Sequence, residues 1–121
     1  MPDMNEVMEI LAQKGFDVTY AMEVCIDKDI YMDVLETALE EGGRKLPIME
    51  ESLAEKDYER YHVEVHGLKN AMKAIGAMEL SELAFSQEKA AKEKNEELII
   101  AGSGDLLQKY REVISILSEL L

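Results

Sequence analysis

The sequence predicts an all-α fold: an antiparallel up-down four-helix bundle with short additional helices at its N-terminal end. Three observations predict it. Apolar residues recur at steps of three and four along most of the chain, as in Tyr58, Tyr61, Val65, Leu68, Met72 and Ile75. Cap and turn residues cut these stripes into segments of helical length, joined by short turns that favour antiparallel neighbours. Trp is absent and Pro occurs only twice in 121 residues, so nothing points to a β-sandwich or a long linker. At this length a single domain over residues 1–121, with one packed core, is expected.

The elements follow in order. Val7, Ile10 and Leu11 mark a short first helix that stops at Gly15. Asp17 is an N-cap for Val18 to Cys25, with Tyr20 or Ala21 and Val24 facing inward. Asp27, Lys28 and Asp29 form a turn or cap. Ile30, Tyr31, Val34, Leu35, Ala38 and Leu39 then make a strong stripe. Gly42, Gly43 and Pro47 interrupt it. Either the helix ends near Glu41 and a second begins after Gly43, or one long helix bends there. Leu46, Met49 and Leu53 carry the stripe on to Lys56. Asp57 caps a helix running to Gly76. Met78, Leu80, Leu83, Ala84 and Ala91 line the next, which fades through Lys92 and Glu93. Asn95 caps the segment from Glu96 onward. Gly102, Ser103 and Gly104 read as a flexible spot, with Asp105 recapping a helix through Leu107, Tyr110, Val113, Ile114 and Leu117. The eight Met residues lie at helical spacing and read as core fillers rather than a cofactor box.

Charge and composition narrow the function. With 26 acidic and 13 basic residues the formal net charge is −13. Nucleic acid and anionic membrane are therefore not expected as partners, since both need a basic footprint. The 47% hydrophobic content, periodically placed, argues against disorder. Cys25 is the only cysteine, which excludes an intramolecular disulfide and a thiolate metal cluster and fits a cytoplasmic setting. Residues Met1 to Glu6 carry acids where a signal peptide has a basic region, and no apolar stretch approaches membrane-spanning length. There is no Gly-rich phosphate loop, no Gly-x-Ser-x-Gly elbow and no nucleotide-binding unit. An autonomous kinase is not expected, and no cofactor is indicated.

One segment departs from the acidic pattern. On the helix from Asp57 to Gly76, the residues His62, His66, Lys69, Asn70 and Lys73 fall opposite the apolar stripe, one turn apart from each other. An exposed imidazole can carry a phosphoryl group. It titrates near ~6.5, so a large neutral fraction with a free nitrogen lone pair exists at cell pH. A cation one turn away steadies phosphoryl oxygens, and Lys69 stands three residues after His66. Gly67 and Ala71 are small and leave room for an incoming partner. Gly67 inside a helix costs about 1 kcal/mol against Ala, so its presence reads as close approach or as mere tolerance. His62 and His66 at i, i+4 could also share a metal. A catalytic zinc wants a third protein ligand, however, and Cys25 is remote in sequence, so no metal site is expected.

His66-Gly67-Leu68-Lys69, with Gly76 ten positions after the His, resembles the signature of the histidine-containing phosphotransfer domain family. Gly15-Phe16-Asp17 with Ala21-Met22, the run Asp29 to Leu35, and Leu80 to Ala84 continuing to Glu88 are similar to its flanking helices. The resemblance implies a four-helix bundle that shuttles a phosphoryl group between receiver-domain aspartates. The receiver supplies the acidic pocket and the magnesium ion. It implies His66 as phosphoryl acceptor, Lys69 as the stabilising cation, and Glu88 as the partner of the other imidazole nitrogen. The implied partners are response-regulator receivers, a hybrid histidine kinase, or both, docking over His62, Gly67, Asn70 and Lys73. Two features depart from the family pattern: Asn70 occupies a position usually held by a small residue, and His62 is an additional imidazole. A helical adaptor that binds a partner without carrying phosphate is the competing reading.

Overall fold

A computed structural model of the chain describes residues 2–121; Met1, the start of the acidic N-terminal stretch, lies outside the described residues. Six α-helices account for almost all of it: α1 (Met4–Gln13), α2 (Val18–Cys25), α3 (Lys28–Ala54), α4 (Tyr58–Ala74), α5 (Met78–Lys92) and α6 (Glu96–Leu120). Helices α3 to α6 pack in a ring, each against its neighbours in sequence, with α6 closing back on α3. Helix α2 packs on α3 and α4, and α1 on α2. This is the all-α bundle with short N-terminal helices that the periodicity implied. Among the described residues no helix is long and apolar enough to cross a membrane.

The helix ends show why the chain turns where it does. Asp3, Asp17, Asp27, Asp57 and Asn95 each accept a hydrogen bond from the backbone amide three residues on, at 2.9–3.2 Å. Such a cap is worth about 1 kcal/mol. Four helices then end in one way. The residue after the C-cap turns left-handed: Gly15 (φ +94°), Lys56 (+57°), Gly76 (+86°) and Lys94 (+55°). The next amide donates back across the turn, Phe16 to Leu11, Asp57 to Ser52, Ala77 to Met72 and Asn95 to Ala90, all within 3.0 Å. Asp57 and Asn95 therefore close one helix and cap the next. Connections this short hold consecutive helices side by side and antiparallel.

Two sequence expectations are corrected and one open alternative is resolved. Of the two readings of the interruption at Gly42, Gly43 and Pro47, the long helix holds, because α3 is continuous through all three. Pro47 gives up one helical hydrogen bond, and packing of the stripe on both sides outweighs it. Gly42 is buried, and a Cβ there would collide with the Ile114 side chain of α6. Gly102 to Gly104 is likewise no break, and Asp105 recaps nothing, because α6 runs through them. A Cβ at Gly102 would run into the Gln87 side chain of α5. These two glycines are places where helices touch. Val24 and Ile30, expected inward, are exposed, while Ala21 and Cys25 make the buried face of α2. An eight-residue helix presents only two turns, and its stripe is too short to fix its facing.

The left-handed positions yield opposite predictions for opposite substitutions. Lys94→Gly should relieve the non-glycine φ and stabilise by about 0.5–1 kcal/mol, raising Tm by a few degrees. Gly76→Ala should destabilise by about 2 kcal/mol or more, since its Cβ would also lie 2.5 Å from the Asp17 carbonyl oxygen. Thermal unfolding of the two variants checks both signs.

Candidate functional site

Helix α4 buries Tyr61, Val65, Leu68 and Met72 and turns His66 outward, with its side chain 58% exposed. What faces His66 is decided by the register of α5. Two contacts fix that register from α4. Tyr61 donates its hydroxyl hydrogen to Gln87 Oε1 at 2.6 Å, and Ser81 donates to the Lys69 carbonyl at 2.9 Å. On its other side the Gln87 amide donates to the Leu98 carbonyl of α6 at 3.1 Å. The space for that amide is the missing Cβ of Gly102.

Glu88 follows Gln87 and is thereby set against α4. Its Oε1 lies 2.7 Å from His66 Nδ1, and its Oε2 lies 2.8 Å from Lys69 Nζ. One carboxylate thus joins the imidazole and the cation. The Lys69 ammonium beside it, followed by the hydrogen bond from His66, holds the Glu88 carboxyl below the usual carboxylate range, against a smaller opposing effect of burial. An ionised carboxylate accepts hydrogen bonds and donates none. Nδ1 therefore carries the hydrogen, and in the neutral ring Nε2 keeps the lone pair. A nitrogen so arranged could act as a nucleophile without a general base, since it has no proton to lose.

The surroundings are mixed. Lys69 Nζ sits 5.6 Å from the centre of the Phe85 ring, within cation–π range. Phe85 and Val63 are large apolar residues left exposed on the surface beside the site. Val63, His62, His66, Glu88 and Lys92 line one shallow depression, in which His62 is half-buried. Asn70 is exposed. Lys73 lies 5.9 Å from the Tyr20 ring of α2, at the far end of the helix face. Gly67 does not leave open approach space: a Cβ there would meet Lys45 Nζ at 2.9 Å. Lys45 reaches over from α3 toward Glu64, 3.8 Å away, and fills the position expected to admit a partner. Among the described residues no group of three or more His, Cys, Asp or Glu could hold a metal ion.

Val63, Phe85, Gln87 and Lys92 escaped the sequence reading. Val63 and Phe85 carry a signal that could have found them. Each is an apolar residue three positions before a polar site residue, His66 and Glu88, and so lies on the polar face of its helix. Gln87 carries none, because its role depends on Tyr61 and Leu98 from two other helices.

The Glu88 contacts make stability pH-dependent in a definite direction. A carboxyl lowered in the folded state contributes stability above its unfolded pKa, about 4.3, and loses it as pH falls through the folded value. Glu88→Gln should therefore be clearly less stable than the parent chain at pH 7, with a gap that shrinks toward pH 3. Urea unfolding at the two pH values measures this, and a constant gap would show that the ion pair does not set the pH dependence.

A family model described as Hpt domain matches residues 33–119. That span begins within α3, takes in α4 and α5 and almost all of α6, and includes His66, Lys69 and Glu88. No match is found among curated proteins or among solved structures. Hpt domains carry phosphoryl groups on histidine in two-component phosphorelays, working with receiver domains and histidine kinases. With well over half of its length matched, the chain belongs to the Hpt domain family.

Proposed function

We propose that residues 1–121 form one phosphotransfer unit in which His66 accepts a phosphoryl group from a receiver aspartate and passes it to another receiver. The observation that carries this is the 2.7 Å contact between Glu88 Oε1 and His66 Nδ1. It leaves Nε2 as the unprotonated nitrogen of an exposed ring. In the transfer step the Nε2 lone pair attacks phosphorus, and the bond between phosphorus and the receiver carboxylate breaks with its electron pair going to that carboxylate. The Nδ1 proton stays on the ring, against Glu88. Lys69, one turn along, offers its ammonium to the phosphoryl oxygens as charge gathers there. Val63 and Phe85 supply apolar flanks that exclude water as a partner docks. His62, Asn70, Lys73 and Lys92 belong to the same partner-facing side, whereas Gly67 is occupied by Lys45. The chain acts as a carrier and not as a kinase, with the phosphoryl group arriving from a receiver or a hybrid histidine kinase.

Incubation with a radiolabelled phospho-receiver tests this reading. The parent chain should take up label that is acid-labile and alkali-stable. His66→Gln should take up none; undiminished uptake would mean that another residue accepts the group, and a parent chain that binds the receiver but takes up no label would favour the helical-adaptor reading. Lys69→Ala should keep the fold and slow transfer about tenfold, the scale of one charge-assisted hydrogen bond. Unchanged rates would remove Lys69 from the mechanism.

A further inference from the structure

Lys69 is already engaged in the resting chain. Its ammonium lies 2.8 Å from Glu88 Oε2, while the other oxygen of that carboxylate holds His66 Nδ1 at 2.7 Å. The cation assigned to the phosphoryl group is therefore shared with a fixed anion. We infer that Glu88 is a positioning residue that also sets the phosphoryl-transfer poise of His66, by competing for Lys69 and by keeping negative charge beside the phosphoryl group. This rests on the reading of His66 as the phosphoryl acceptor.

The chemistry follows from charge. A phosphoryl group on Nε2 brings about one and a half to two negative charges to within a ring's width of the Glu88 carboxylate. The like charges repel, and Lys69 cannot serve both anions fully. Glu88 also keeps the proton on Nδ1. When the N–P bond breaks in onward transfer, its electron pair returns to Nε2 and the ring departs as neutral imidazole. Without that proton it would have to depart as an imidazolate anion, a far poorer leaving group. Both effects shorten the life of the phosphorylated state and favour passing the group on. Gln at position 88 keeps the reach and the acceptor oxygen for Nδ1–H. It removes the negative charge and releases Lys69. Position 88 thus separates orientation of the ring, which an amide preserves, from poise, which only the carboxylate supplies.

The test needs no receiver. Potassium phosphoramidate, a small-molecule phosphoryl donor to imidazoles, loads both His66 and His62. Phosphorus NMR then follows each phosphohistidine in one tube, with His62 as the internal reference. In Glu88→Gln the phospho-His66 half-life at pH 7.5 should lengthen about tenfold, the effect of one charge-assisted hydrogen bond from the released Lys69, with phospho-His62 unchanged. Lys69→Met added to Glu88→Gln should remove most of that lengthening, and should do less in the parent chain, where Lys69 is tied to Glu88. Half-lives of phospho-His66 within twofold of each other in the parent chain and Glu88→Gln overturn the inference, as does an equal lengthening at His62. Because no receiver enters the measurement, those results refute the role of Glu88 alone. Label transfer to His66→Gln refutes the acceptor reading itself.

Discussion

The buried amide of Gln87 is the interaction on which the rest of the site depends. It accepts from Tyr61 of α4 and donates to the Leu98 carbonyl of α6, so three helices are held by one side chain. A buried polar group left unpaired costs about 1–3 kcal/mol, so sliding α5 along either neighbour is opposed at both ends of the amide. Gly102 belongs to the same constraint, because any side chain there would displace the amide. The next residue along α5 is Glu88. Its approach to His66 and Lys69 is a consequence of that register, and the protonation pattern of the imidazole follows from the approach.

The opposite end of the α4–α5 pair is fixed by the N-terminal half of the chain. Tyr31 donates to the Ile75 carbonyl at 2.9 Å, and the Asp17 amide donates to the Gly76 carbonyl at 2.8 Å. The turn that delivers α5 is therefore clamped by α3 and by the start of α2. This gives the start of α2, which lies outside the matched family span, a structural part in the site. His66, Lys69 and Glu88 all project from helix interiors rather than loops, so rigid elements hold their relative positions. The exposed Val63 and Phe85 leave apolar surface beside them.

Much of this was legible in the sequence, for physical reasons that also mark the limits. The stripes of α3 to α6 are long, and long periodic stripes fix which face is buried. The caps at Asp17, Asp57 and Asn95 are local chemistry and need no tertiary information. His66 and Lys69 stand one turn apart on a single helix, so spacing alone joins them. Glu88 is 22 residues from His66, and only the family resemblance connected it to the ring. The sequence left Gly42 open and broke α6 wrongly at Gly102, because it cannot distinguish a glycine that ends a helix from one that admits a neighbour. Both lack a Cβ, and only Ile114 and Gln87, lying across the interface, reveal which reason applies. The neighbour of Gly67 was equally invisible, since Lys45 comes from another helix.

The proposed chemistry turns on an ionised Glu88 that holds the hydrogen of His66 on Nδ1 and leaves Nε2 as the nucleophile. Long-range proton–nitrogen correlation NMR of the unphosphorylated chain, recorded above the titration of its imidazoles, reads the tautomer of each histidine directly. A protonated Nδ1 and a bare Nε2 are expected at His66. A His66 ring protonated at Nε2 would contradict this, because the nitrogen assigned to attack would then carry the proton.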